Sequence, residues 1–216
     1  MKYLACIFDL DGTLLDTITD IACAANTALK FFGYPGHTVA DYKKMVGEGL
    51  EKLIMYALPQ NHNDGETIKK VKEIVNKEYL LHLTDTTLPY PGIPELLDKL
   101  QEREIKLAIL TNKPQQMVDL SVDRLLSSWP FLAVRGMQPE IPPKPDPKAA
   151  LLIAEKLRLR PSQILLVGDS DIDIQTANNA GMRPVAVTWG FRPRKELEKC
   201  RVEFIIDRPE ELLRLI

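Results

Sequence analysis

The chain has 216 residues, 45% apolar and 27% charged, a globular balance that excludes disorder and collagen-like architecture. Its 28 basic and 30 acidic side chains leave a net charge of −2, so no basic excess points to nucleic acid as a partner. The longest apolar runs, such as Ile164-Leu165-Leu166-Val167, are too short for a bilayer, and Asp9 and Asp11 come too early for a signal peptide. A soluble, cytoplasmic protein is expected, built as one large domain or as a core with a smaller insertion. Cys6, Cys23 and Cys200 are odd in number and dispersed, and the three histidines lack zinc spacing, so neither a disulfide framework nor a zinc site is expected.

In chain order, Leu4 to Phe8 reads as a buried strand that ends in Asp9-Leu10-Asp11-Gly12-Thr13. Ile18, Ile21, Ala22, Ala25 and Leu29 then mark a helix, with a capping box offered by Thr17-Ile18-Thr19-Asp20. Leu50, Leu53, Ile54 and Ala57 mark a second helix, and Ile68, Val71, Ile74 and Val75 a third. Between about residues 17 and 83 no strand pattern is evident. Leu88-Pro89-Tyr90-Pro91-Gly92 is a breaker cluster, and beyond it the texture alternates.

Ile93 to Leu100 is helical with Pro94 in its first turn, and Lys106 to Leu110 is a strand ending in Thr111-Asn112-Lys113. A helix over 114–126, a short strand over 131–134 and a helix over 149–157 follow. Then come a strand at 164–167, a helix at 172–180 closed by Gly181, and strands at 184–188 and 204–206. A last helix carries Glu210 and Glu211 in its first turn, opposing the positive end of the dipole. This alternation implies an α/β fold with a doubly wound, Rossmann-like parallel sheet. The all-helical block interrupts it, giving a core of residues 1–16 and 86–216 and an inserted helical domain of residues 17–85.

Three apolar strands run into polar tips: Asp9 and Asp11, Thr111, and Gly168-Asp169. Ligands of open parallel sheets bind beyond the carboxyl ends of the strands, so these residues should converge there. Gathered carboxylates repel unless a cation sits among them, and all-oxygen donors favour a hard ion such as Mg2+. Lys113 and Lys144 lie beside the same tips. Acids, a hard cation and lysines at one place describe phosphoryl chemistry, where the work is charge neutralisation and positioning.

Four segments carry a family resemblance. Asp9-Leu10-Asp11-Gly12-Thr13-Leu14 resembles the first motif of the haloacid dehalogenase superfamily. Thr111-Asn112-Lys113, Lys144-Pro145-Asp146-Pro147 and Gly168-Asp169-Ser170-Asp171-Ile172-Asp173 resemble the second to fourth, in order and across the whole chain. The resemblance implies that Asp9 attacks phosphorus to form an aspartyl-phosphate and that Asp11 is the acid and base. It implies that Thr111 binds the phosphoryl group and that Lys144 neutralises it and holds Asp9. Mg2+ would be held by Asp9, the backbone carbonyl of Asp11 and Asp169, with Asp173 in support. Asp11 also argues against the dehalogenase branch.

Residues 17–85 resemble the family's small helical cap, and Met45-Val46-Gly47-Glu48-Gly49-Leu50 is similar to the cap segment of its phosphoglycolate phosphatase branch. Tyr90-Pro91-Gly92 and Trp189-Gly190-Phe191-Arg192 are similar to that branch too. On this resemblance Gly47, Glu48, Gly49, Asn112 and Lys113 contact substrate, a small phosphorylated metabolite, with 2-phosphoglycolate expected first. Pyrophosphatases, sugar phosphatases, β-phosphoglucomutases and non-catalytic phospho-ligand or protein binders are the alternatives. The oligomeric state is not legible.

Plainer readings attach to several residues. Asp169-Asp171-Asp173 spacing suggests an EF-hand loop, but Ile174 and Ala180 stand where its Gly and Glu belong. Asp171 reads as a solvated loop acid, Asp16 as a hinge or helix cap, and Trp189 and Phe191 as packing. Glu104 occupies a post-helix position suited to glycine.

Overall fold

The computed structural model describes residues 3–216. β1 (Ala5–Phe8) lies at the centre of a six-stranded sheet, bonded in parallel to β4 (Lys106–Pro114) and β6 (Ile164–Gly168). β5 (Phe131–Met137) extends one side; β7 (Arg183–Val187) and β8 (Phe204–Ile206) extend the other, all parallel. The order β5-β4-β1-β6-β7-β8 reverses direction between β1 and β6, which opens a crevice at their carboxyl ends.

Alternation along β1 explains the two packed faces. Cys6 and Phe8 join a cluster with α5 (Ile93–Glu102) and Val118 of α6 (Gln115–Leu125). Ala5 and Ile7 join Ala150, Ile153 and Leu157 of α7 (Lys148–Leu157) and Ala177 of α8 (Asp171–Ala180) on the other face.

After β1 the chain leaves the sheet through β2 (Leu15–Asp16), builds four helices and returns through β3 (Leu88–Pro89), antiparallel to β2. The helices are α1 (Ile18–Phe31), α2 (Val39–Met45), α3 (Leu50–Ala57) and α4 (Gly65–Leu81). Their apolar faces form a separate cluster that includes Ile21, Leu53, Ile54 and Val75. Met117 and Phe191 from the sheet side join it.

The structure corrects several expectations. Thr17 makes no side-chain cap bond. Asp20 turns instead to the returning chain, accepting from Thr86 N and Oγ1 (3.1 and 2.6 Å) and from Thr87 N and Oγ1 (2.9 and 2.6 Å). Four donors converging on one carboxylate outcompete a single cap bond. The sequence reading passed over α2, although Thr38 and Asp41 form a reciprocal capping box. It also passed over the β2–β3 ribbon, whose two-residue strands have no periodicity to display. The final segment Pro209–Arg214 is a 3-10 rather than an α-helix, and Glu211 accepts from Asp207 N at 3.0 Å. Glu104 does adopt the left-handed conformation, at φ 58°.

Candidate active site

β4 runs four residues further than its apolar core, so Thr111, Asn112 and Lys113 are strand residues. The register with β5 shifts between Leu110 and Pro114, an irregularity of the kind that re-aims side chains at a sheet edge. β1 delivers Asp9 directly, its N–H donating to Val167 O at 2.9 Å. β6 delivers Asp169 beside it. The carboxylates of Asp9, Asp169 and Asp173 offer oxygens within 4.8 Å of one another, all three residues being buried.

Lys144 lies beneath this cluster, 5% exposed. Its ammonium is 2.6 Å from Asp173 Oδ1 and 3.0 Å from Asp9 Oδ1. Asp173 is more heavily engaged, since its Oδ2 also accepts from Ser170 N at 3.1 Å and Ser170 Oγ at 2.6 Å. It thereby holds the lysine and the first turn of α8 while staying within the carboxylate cluster. Asp9 Oδ1 has the Lys144 ammonium beside it as an ion pair, at 3.0 Å. No hydrogen-bond donor is aligned on its Oδ1 among the described residues. Burial is the largest influence on its carboxyl and Lys144 opposes it, but Asp173 and Asp11 add to it, and the pKa rises to about 7. Burial, then Asp173 and Asp9, push Asp169 up to about 8 against the Phe191 N–H, which donates to its Oδ2 at 2.7 Å.

Two glycines let the chain close on Asp169. A Cβ on Gly12, at φ +83°, would stand 2.6 Å from Asp169 Oδ2, and one on Gly190 would stand 2.3 Å from Asp169 Cβ. The donors fit a hard divalent cation: buried carboxylate oxygens, one without a hydrogen bond, and two acids that burial holds short of full ionisation.

Above the cluster lies a cavity of about 60 Å3 between the sheet edge and the helical layer. Asp9, Asp11, Thr111 and Lys113 form its floor, and Ile21, Leu53, Val75 and Tyr79 face them. Lys113, 5% exposed, bridges the two sides: its ammonium is 2.7 Å from Asp11 Oδ1 and 2.5 Å from the Tyr79 hydroxyl.

The predicted substrate residues separate. Gly47 and Gly49 line the cavity with positive φ, and a Cβ on Gly49 would press on Met137 Sδ at 3.3 Å. Glu48 does not line it; it is exposed and accepts from the Tyr56 hydroxyl at 2.8 Å. The side chain of Asn112 is a strut, donating to Gly47 O and Lys144 O at 3.0 Å and accepting from Lys144 N at 2.8 Å. Asp171 is exposed and bonded to Gln175. Trp189 donates to Thr13 O at 3.0 Å. Sequence reasoning missed Tyr79 and named Arg192 only within a branch-like segment, without a role. Arg192 lines the cavity and donates to Lys43 O and Val46 O, which ties the helical layer to the sheet. Tyr79 continues the Val71 and Val75 stripe of α4, where a tyrosine reads as core.

Residues 6–187 match a family model described as haloacid dehalogenase-like hydrolase. A phosphoglycolate phosphatase of Aliivibrio fischeri is 32% identical, over 97% of this chain and 94% of its own. One from Vibrio parahaemolyticus is 31% identical over the same shares. A crystal structure of a phosphoglycolate phosphatase candidate from Lactobacillus delbrueckii subsp. bulgaricus aligns with TM-score 0.92 and 32% identity, covering 98% of this chain and 97% of that one.

Proposed function

This chain belongs to the haloacid dehalogenase-like hydrolases, and on that premise we propose that it is a phosphatase of a small phosphate monoester, 2-phosphoglycolate. The observation that carries the reading is the convergence of Asp9, Asp11 and Thr111 on the floor of a cavity of about 60 Å3. The names of its relatives agree with it.

Asp9 attacks phosphorus and carries the phosphoryl group as an aspartyl-phosphate, the covalent route open to a carboxylate. Lys144, 3.0 Å from Asp9, keeps that carboxylate in place and offsets charge on the transferring group. Thr111 donates its hydroxyl to a phosphoryl oxygen. Asp11, on the same loop two residues on, protonates the leaving oxygen and then takes the proton of the attacking water. Asp9, Asp169 and the backbone carbonyl of Asp11 would hold Mg2+, which when bound supplies positive charge to the phosphoryl oxygens. Residues 17–85 act as a cap over the core of residues 1–16 and 86–216, excluding water from the cavity.

The test is phosphate release with and without a chelator across 2-phosphoglycolate, β-glucose 1-phosphate, pyrophosphate, several sugar phosphates and an aryl phosphate. A strong Mg2+-dependent preference for 2-phosphoglycolate is expected. Isomerisation of β-glucose 1-phosphate or a preference for pyrophosphate would refute the substrate assignment, and silence on every compound would refute the phosphatase.

A further inference from the structure

Lys113 and Arg192 are the cations in the cavity wall. Arg192 is engaged with the carbonyls of Lys43 and Val46. Lys144, below the floor, is taken by Asp9 and Asp173. Lys113 differs from both. Among the described residues its one charged partner is Asp11, at 2.7 Å. Its other partner, the Tyr79 hydroxyl at 2.5 Å, is neutral and reaches down from α4. The Tyr79 ring also lies under the ammonium, 4.6 Å from its centroid. An ammonium has three donors, so one remains for a ligand in the cavity that Lys113 lines.

A buried ammonium needs a negative partner. Among the described residues the one anion that meets the need, Asp11, belongs to the loop that bears the proposed acid and base. The helical wall around Tyr79, formed by Ile21, Leu50, Leu53 and Val75, has no polar side chain with which to solvate a neutral polar tail.

We propose that Lys113, set in place by Tyr79, reads a second anionic group on the substrate, and that the Asp11 carboxylate stands in for that group until the substrate arrives. An incoming carboxylate takes over the ammonium, and Asp11 is released to serve the ester oxygen. Selectivity for an acidic tail thus enters through the same contact that frees the acid and base. The inference rests on the small-monoester reading above and names the tail chemistry that reading leaves unexplained.

The test compares kcat/KM for 2-phosphoglycolate and for carbamoylmethyl phosphate, which has nearly the same shape but a neutral amide in place of the carboxylate. Wild-type enzyme should prefer the acid by about 100-fold or more, the scale at which an unmatched buried polar group is rejected. Lys113→Met should bring the preference below about 5-fold. Tyr79→Phe keeps the ring and should lower the preference by about 3- to 10-fold, which decides the matter if Lys113→Met does not fold. A wild-type enzyme that cleaves both esters alike overturns the proposal and leaves the phosphatase standing. So does a loss in the variants that is equal on both esters. A wild-type enzyme that cleaves an aryl phosphate but neither of the pair contradicts the small-monoester reading, and the proposal falls with it.

Discussion

Two buried acids, Asp20 at the base of the helical layer and Asp9 at the sheet edge, sit in opposite environments. Asp20 is 3% exposed and receives N–H and O–H donors from both Thr86 and Thr87. Burial is the largest influence on its carboxyl and raises the pKa, but those hydrogen bonds together outweigh it and hold the pKa below the ordinary value. Asp9 is similarly enclosed, has no aligned donor on Oδ1, and is pushed up to about 7. Asp20, which joins two chain segments, is saturated by protein donors; Asp9, proposed to meet the substrate, has only the Lys144 ammonium at 3.0 Å beside that oxygen. Asp169, beside it, accepts from Thr13 Oγ1 at 3.3 Å and Phe191 N at 2.7 Å, yet burial raises its carboxyl too, to about 8; a cation between Asp9 and Asp169 would relieve both.

The largest break in this contrast comes from Asp9→Asn. Turnover should fall by at least about 1,000-fold, since the covalent route is lost. The metal-free variant should nonetheless melt no lower than wild type, because a poorly solvated buried charge has been removed. Phosphate release together with circular-dichroism melting checks both; substantial residual turnover in a pure sample would refute the nucleophile assignment.

A second test uses pH. Folded-state pKa values near 7 and 8 for Asp9 and Asp169 exceed the unfolded value of about 4. Their contribution is therefore fully present below about pH 4 and is lost as pH rises through 7 to 8. Asp20, with its lowered pKa, contributes in the opposite sense: its stabilisation is present above the unfolded pKa and is lost as pH falls through the folded value. Metal-free melting temperature should thus decline on the alkaline side, and Mg2+ should restore it there and not at pH 5. A flat alkaline limb, or equal Mg2+ stabilisation at both pH values, would contradict the assignment.

The smallest effect is expected from Asp20→Asn. An amide keeps the shape but weakens the charge-assisted bonds, so stability should drop by about 1–3 kcal/mol. Metal affinity should stay within about twofold, because Asp20 is taken up by Thr86 and Thr87 and is not one of the clustered carboxylates. Urea unfolding measures the first and calorimetry the second.

What the sequence could reveal follows the same divide. The strand tips were legible because each is an apolar run ending in a charged or hydroxyl residue, and Asp9, Thr111 and Asp169 do meet at one edge. The sheet was legible because each strand is followed by a helix of ordinary length. Asp20 was misread as a helix cap because its partners, Thr86 and Thr87, come from the far end of the insertion. Tyr79, and the role of Arg192, were not identified for the same reason: each acts across the gap between the helices and the sheet. Glu48 sat between two glycines that do line the cavity, but its side chain points to solvent. A local motif places backbone reliably; which way a side chain turns depends on what packs over it.

On the proposed reading Asp9 and Asp169, buried carboxylates at the sheet edge, hold a divalent cation. Calorimetric titration of Mg2+ into wild type and into Asp169→Asn at pH 8 tests it most directly. Wild type should bind one ion, and the variant should bind at least about tenfold more weakly. Equal affinity in the two proteins would contradict the claim.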